Sequence, residues 1–160
     1  MRTDPSETMK ERNVMFVERL LPKAAKRLVT ISDDDPLVRA ATLLRPGMDL
    51  VVVCGSAGLL AGVITKTDIV SQMSRCQGAS CMTAASSAMT ADVVLCRPGD
   101  FLHDVWVRLK ERRLKNLPVV DEDLRPLGVL NARDILQVLL QEAEDEEAIL
   151  RDYVMGVGYH

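Results

Sequence analysis

The chain has 160 residues, 48% of them hydrophobic and 27% charged, the balance of one soluble domain or of two small packed halves. Twenty Lys and Arg against twenty-three Asp and Glu leave a net charge of −3, so no overall basic field exists to hold a polyanion. Aromatic residues are 3% of the chain, too few for a base-stacking platform, and sequence-general nucleic-acid binding is disfavoured on both grounds.

Met1 to Glu7 is mixed in charge and has no apolar core, so no secretory signal is expected there. Lys10 to Arg27 reads as an amphipathic helix interrupted at Pro22, which makes residues 1–27 a helical extension. Leu28 to Ile31 reads as a short strand and Asp35 to Arg45 as a helix, opened by Asp35-Pro36 and stopped by Pro46-Gly47. Leu50–Cys54 and Leu60–Ile64 read as two strands joined by the turn Gly55-Ser56-Ala57-Gly58. The uncharged run Leu50–Ile64 is broken by three glycines and falls short of the ~20 apolar residues of a membrane span. A helix from Thr67 to Met73 follows. Residues 77–90, rich in Ser, Ala, Gly and Met, read as a linker.

Beyond the linker come a strand at Val93–Cys96, a helix at Phe101–Arg113, strands at Leu117–Val120 and Leu127–Leu130, and a helix from Ala132. That last helix is expected to run to Asp152, with Leu139, Ala143 and Leu150 on one stripe and an acidic opposite face. The uncharged end Tyr153–His160 is expected to dock on the protein or on a dimer mate, because a disordered tail would be polar. Cys54, Cys76, Cys81 and Cys96 are expected to be reduced thiols of a cytoplasmic protein. Cys76-x4-Cys81 lacks the spacing of a zinc half-site, so no metal is expected.

The chain repeats itself. Gly62-Val63-Ile64-Thr65-Lys66-Thr67-Asp68-Ile69 recurs as Gly128-Val129-Leu130-Asn131-Ala132-Arg133-Asp134-Ile135, four of eight positions being identical. Val53-Cys54 falls on Val119-Val120 at the same spacing. Two units follow, over residues 28–76 and 91–140, each ordered strand, helix, strand, strand, helix. One such unit buries too little surface to be comfortable alone, so a pseudo-symmetric pair of α/β (α+β) units is the expected architecture. Residues 141–160 form the acidic helix end and the apolar arm.

The doubled Gly-h-h-(Thr/Asn)-x-x-Asp pattern, with Leu117-Pro118-Val119-Val120-Asp121 before its second copy and Met89-Thr90-Ala91-Asp92-Val93-Val94 opening the second unit, resembles the cystathionine-β-synthase (CBS) domain. The resemblance covers roughly Leu28 to Leu140 and implies a tandem pair, a Bateman module. It implies a regulator, not an enzyme, that binds an adenosine-containing ligand (AMP, ADP, ATP, an NAD-type molecule or S-adenosylmethionine) in clefts between the units. It further implies a homodimer built through helices, and a separate effector protein that reads the ligand.

A residue at a strand-to-helix junction sits where the first backbone N–H groups are unpaired and the dipole is positive, a place that welcomes phosphate. Thr65 and Asn131 hold those positions, and Asp68 and Asp134 return to the same helix mouths with acceptor oxygens suited to a ribose diol. By the resemblance, ribose falls to Asp68 and Asp134, and phosphate to Thr65 and Asn131. Lys66 and Arg133 could add a cationic grip. Ile31, Val52, Val94 and Pro118 would sandwich the base. Asn131 departs from the hydroxyl of the family pattern, which weakens the case for phosphate at the second site. Thr65-x-x-Asp68 is equally a capping box that needs no ligand. The competing expectation is therefore a ligand-free scaffold or dimerisation module. The basic stretch Arg108, Lys110, Arg112, Arg113 and Lys115 reads most simply as a solvated helix face that could answer the acidic run Glu142–Glu147. His103 reads as a partly exposed helix residue.

Overall fold

A hairpin that is apolar on both faces must be covered on both sides, and Val51, Val52 and Val53 are all fully buried. The computed structural model describes residues 15–75 and 82–158. In chain order these form a 3-10 turn at Val17–Leu20, then α1 (Leu21–Lys26), β1 (Thr30–Ser32), α2 (Leu37–Leu43), β2 (Leu50–Cys54), β3 (Leu60–Thr65) and α3 (Lys66–Arg75). There follow α4 (Ala85–Ala88), α5 (Leu102–Arg112), β4 (Asn116–Val120), β5 (Pro126–Asn131) and α6 (Ala132–Gly158). β1 runs parallel to β2, and β2 pairs antiparallel with β3; β4 and β5 form the equivalent hairpin. The two registers match, with Leu50 opposite Thr65 and Asn116 opposite Asn131. The architecture is the expected pair of pseudo-symmetric α/β units.

One expected strand does not form. Val93–Cys96 makes a single parallel bridge, Cys96 to Val119, where the first unit has the ladder of β1 on β2. In the first unit the Val52 N–H donates to the Val29 carbonyl at 2.9 Å. The corresponding residue of β4 is Pro118, which has no N–H to give, so the second ladder loses that rung. Two other expectations shift. Pro22 lies in the first turn of α1 and opens that helix instead of interrupting it. Pro36 stays extended (φ −67°, ψ 145°) as the residue before α2, which is shorter than Asp35–Arg45. Asp35 accepts the Ser32 N–H at 2.9 Å and pairs with Arg39.

Each unit is completed by a segment that precedes the other unit. The Val17–Lys26 segment leaves the first unit and packs Val17, Leu20 and Ala24 into the second core with Leu102, Val105, Leu109, Leu117 and Ile135. In exchange, Ala85 of α4 enters the first core with Ile31, Leu37, Ala40 and Ile64. The backbone stitching is also matched. Leu102 N–H donates to Met15 O and Val17 N–H to Asp100 O; Leu37 N–H donates to Thr83 O and Ala85 N–H to Asp35 O. The part of the expected linker around α4 is thus core. The two motif glycines stand where these segments cross: a Cβ on Gly62 would lie 2.8 Å from the Thr90 carbonyl oxygen, and one on Gly128 2.6 Å from the Ala24 carbonyl carbon. Only glycine admits a backbone so close.

Between the units Leu50, Val52, Val63 and Val129 form a third apolar cluster, with Leu28 and Val93 against it. The hairpin turns also meet, the Leu60 N–H donating to the Leu124 carbonyl at 2.9 Å. α6 is 27 residues long, about 40 Å at 1.5 Å per residue. It packs on β5 and α5 at its start, but every residue from Ala143 to Val154 is exposed. Tyr153 and Val154, the start of the arm expected to dock on the protein or on a dimer mate, are 70% and 66% exposed and so do not pack on their own chain; Tyr159 and His160 lie outside the described residues. Among the described residues no helix is long and apolar enough to cross a membrane.

Candidate functional site

Strand β3 ends at Thr65 and the chain turns at once into α3, so the N-terminus of α3 points into the space between the units. A cleft of about 560 Å³ opens there, within the ~300–1,000 Å³ of small-molecule sites. Thr65, Lys66, Thr67 and Asp68 line one wall, and Val94 and Pro118 line the other. Asp68 accepts from the Thr65 N–H at 2.9 Å and from the Thr65 hydroxyl at 3.2 Å, both through Oδ2. Its Oδ1 accepts the Thr90 hydroxyl at 3.1 Å. The capping arrangement is therefore present, and it holds Asp68 at the mouth of the cleft. Two carboxylate oxygens offer about four lone-pair sites, so three donors leave room for one more, and the two hydroxyl donors are neutral and exchangeable.

The cleft is also lined by Arg112, Arg113 and Lys115, which are exposed, as expected of the basic stretch, and stand at its rim. α5 ends at Arg113 in the left-handed region (φ 54°), and the Leu114 N–H closes onto the Leu109 carbonyl at 2.9 Å. That reversal carries the chain over the cleft rim into β4. The rest of the basic stretch has other duties. Arg108 donates to the Leu95 carbonyl at 3.2 Å and pairs with Asp100, while Lys110 stands 5.8 Å from the Trp106 ring. Lys66 pairs with Asp49 at 3.7 Å across the cleft floor. The repeat itself carried a signal for Lys115: it precedes β4 as Asp49 precedes β2. His103 is exposed on α5 and lines no described cleft.

The head of α6 is built differently. The Asn131 side-chain oxygen accepts the Arg133 N–H at 2.9 Å, and its amide donates to Asn116 at 3.0 Å. Asp134 is 13% exposed and accepts both Nε and Nη2 of Arg27, at 3.2 and 3.0 Å. Arg133 is exposed. Val52 is wholly inside the apolar cluster between the units and Ile31 is in the first core. Ile31 also borders a wider depression of about 640 Å³ with Ser32, Asp35, Arg39 and Arg125, which includes none of Asn131, Arg133 and Asp134. The structure thus gathers Thr65, Lys66, Asp68, Val94 and Pro118 in one cleft and leaves the other five outside it.

Two cysteines fall among the described residues. Cys96 is buried with its thiol directed at the Pro118 carbonyl, and burial, reinforced by Asp100 and opposed by Arg108, pushes it up to about 12. Burial also raises Cys54. Neither has the depressed value of a reactive thiol. Cys76 and Cys81 lie outside the described residues.

Comparison with known proteins gives this geometry a family. The chain is 30% identical over 95 residues to arabinose 5-phosphate isomerase GutQ of Salmonella typhi, a match that takes in 59% of this chain and 29% of the isomerase. It therefore spans less than a third of that relative. Among solved structures, the CBS-domain protein ATU1752 of Agrobacterium tumefaciens is 28% identical with a TM-score of 0.65, over 76% of this chain and 91% of that one. The CBS domain pair of MJ0100, solved with 5′-methylthioadenosine and S-adenosyl-L-methionine, is 19% identical with a TM-score of 0.67, over 81% and 98%. The CBS domain description matches twice, at residues 17–75 and 85–141, each match taking in one swapped segment and the unit that follows it. On those two matches the chain belongs to the CBS domain family, as a tandem CBS pair.

Proposed function

We propose that this CBS pair is a regulatory module that binds a phosphate-bearing adenosine nucleotide in the cleft between Thr65–Asp68 and Arg112–Lys115, and that a partner protein in the cytoplasm reads its occupancy. The observation that carries the reading is the pairing of a ribose acceptor and a helix N-terminus with three cations across one cleft. Asp68 takes the ribose hydroxyls, Thr65 and the N-terminus of α3 take the first phosphate, and Arg112, Arg113 and Lys115 take those beyond it. Val94 and Pro118 flank the base. MJ0100, a structural neighbour with its own adenosine ligands, supports the class of ligand.

Isothermal titration with AMP, ADP, ATP, NAD and S-adenosylmethionine tests the proposal. Asp68→Ala removes a charge-assisted bond worth ~1.5–3 kcal/mol, so affinity should fall about ten- to hundredfold. The same change costs the α3 cap about 1 kcal/mol of stability, so melting is followed in parallel. No heat from wild type with any of the five would sink the proposal and favour the scaffold reading, for which the capping hydrogen bonds of Asp68 to Thr65 are the supporting observation.

We also infer that two such chains associate through helices. The unit-to-unit repeat leaves Val70 and Met73 exposed on α3, and Leu136 and Leu140 exposed on α6. α5 buries Leu102, Val105 and Leu109 in its own unit, so the unpartnered apolar surface lies on α3 and α6. Ile149, Leu150, Tyr153 and Val154 continue it along α6. Light scattering should give twice the 17.7 kDa chain mass at micromolar concentration. Removing residues 143–160 should shift that equilibrium toward monomer; a wild-type monomer would refute the association.

A further inference from the structure

We propose that Arg27 acts as a built-in occupant at the head of α6, taking the place a ribose would have on Asp134 and so holding this chain to one nucleotide. The inference rests on the reading of the first cleft given above. Its observations are the double hydrogen bond from Arg27 to Asp134 Oδ2, the burial of that carboxylate, and a comparison of equivalent positions. Arg27 stands four residues before Ile31, whose bridge to Val53 corresponds to that of Cys96 to Val119; four residues before Cys96 stands Asp92. The same place in the repeat thus carries a cation at the head of α6 and an acid at the cleft beside α3. Asp92 cannot pair with Asp68, and a neutral hydroxyl from Thr90 holds Asp68 instead. A ribose hydroxyl exchanges with a hydroxyl at little loss. To reach Asp134 it must displace a guanidinium, whose charge-assisted bonds are roughly twice as strong as neutral ones.

The surroundings agree. The acceptor oxygen and the amide of Asn131 are both paired within the protein, so the head of α6 presents fewer exchangeable groups than that of α3. Val52, which would have to face a base there, is fully buried between the units. Arg27 also lies in the crossing between α1, packed on the second unit, and β1 of the first. Its ion pair therefore fastens the swapped segment as well as filling the acceptor.

Titration of wild type and Arg27→Gln with ATP decides the matter, read as molecules bound per chain. Wild type should bind one. Arg27→Gln should bind two, the second surviving in Arg27→Gln/Asp68→Ala. One ATP per chain in both proteins overturns the inference and leaves the first-cleft reading standing. Two ATP in wild type also overturns it, the sign that Arg27 swings away to grip phosphate. If wild type binds none, the first-cleft reading fails, and Arg27→Gln binding one would still carry this inference while none would end it. Should Arg27→Gln not fold, the wild-type Arg27 Nε–H resonance gives an independent measure. It should keep its position and slow exchange at saturating ATP; loss of the signal overturns the proposal.

Discussion

Replacing Gly128 by alanine should lower stability by about 3 kcal/mol, the upper end of what an added methyl costs in a close-packed site. The new Cβ would meet the Ala24 carbonyl carbon at 2.6 Å and its oxygen at 2.8 Å. Those are backbone atoms, and Ala24 is itself buried, so neither side can yield by a change of rotamer. In a chain of this size each kcal/mol moves the melting temperature by roughly 2–4 °C, which puts the expected fall near 6–12 °C. Ala24→Gly should rescue the variant only in part, because it removes the Ala24 Cβ contact at 2.8 Å and leaves both main-chain contacts. Gly62→Ala should cost less, since part of its clash is with the flexible Met89 side chain. The Thr90 carbonyl remains in the way, pinned by the Val63 N–H at 3.0 Å. Because Thr90 also lines the cleft, the Gly62 variant should bind nucleotide more weakly, whereas Gly128→Ala should change stability first. Thermal melts of the four proteins check this; a Gly128→Ala protein as stable as wild type would show that the crossing is looser than described.

Neutralising Arg113 and Lys115 together should weaken ATP binding about a hundredfold and adenosine binding hardly at all. A hydrogen bond to a charged group is worth ~1.5–3 kcal/mol, and in a cleft open to solvent the lower figure applies to each residue. That is about tenfold apiece. Lys66 should matter less, because Asp49 already balances part of its charge. The wild-type affinity for ATP should fall with added salt more steeply than that of the double variant. Equal loss for ATP and adenosine would place these residues in folding and not in phosphate binding.

The repeat was readable because a strand-to-helix junction with a capping acid leaves a linear trace, and Thr65–Asp68 and Asn131–Asp134 both carry it. The pair of units and the hairpins followed from it, and the long last helix from its own apolar stripe. The missing rung at Val93–Cys96 was concealed by Pro118, whose effect falls on a neighbour distant in sequence. Arg113 and Lys115 are exposed, as expected, but their place at the cleft depends on a left-handed residue at a helix end, and nothing in the local pattern of a basic helix announces that turn. The roles of Gly62 and Gly128 were hidden for a similar reason. Their partners, Met89-Thr90 and Ala24, come from segments that sequence reading assigned to a linker and to an extension. Arg27 belonged to that extension too, and its partner Asp134 lies more than a hundred residues away.

The exchange of short segments also sets an order of events when the chain is made. Val17, Leu20 and Ala24 emerge first, yet the core they complete needs Leu102 through Ile135. The first unit in turn must wait for Ala85 before its own core closes. The first core can close soon after Ala85 is out, whereas the second stays open until Ile135 has followed, so the second half of the native structure should appear late in synthesis. Contacts of such long sequence separation slow folding, because a large loop must close before any of them forms. In the interval the apolar face of α1 has no partner, and this is when the nascent chain is most exposed to aggregation and to chaperones.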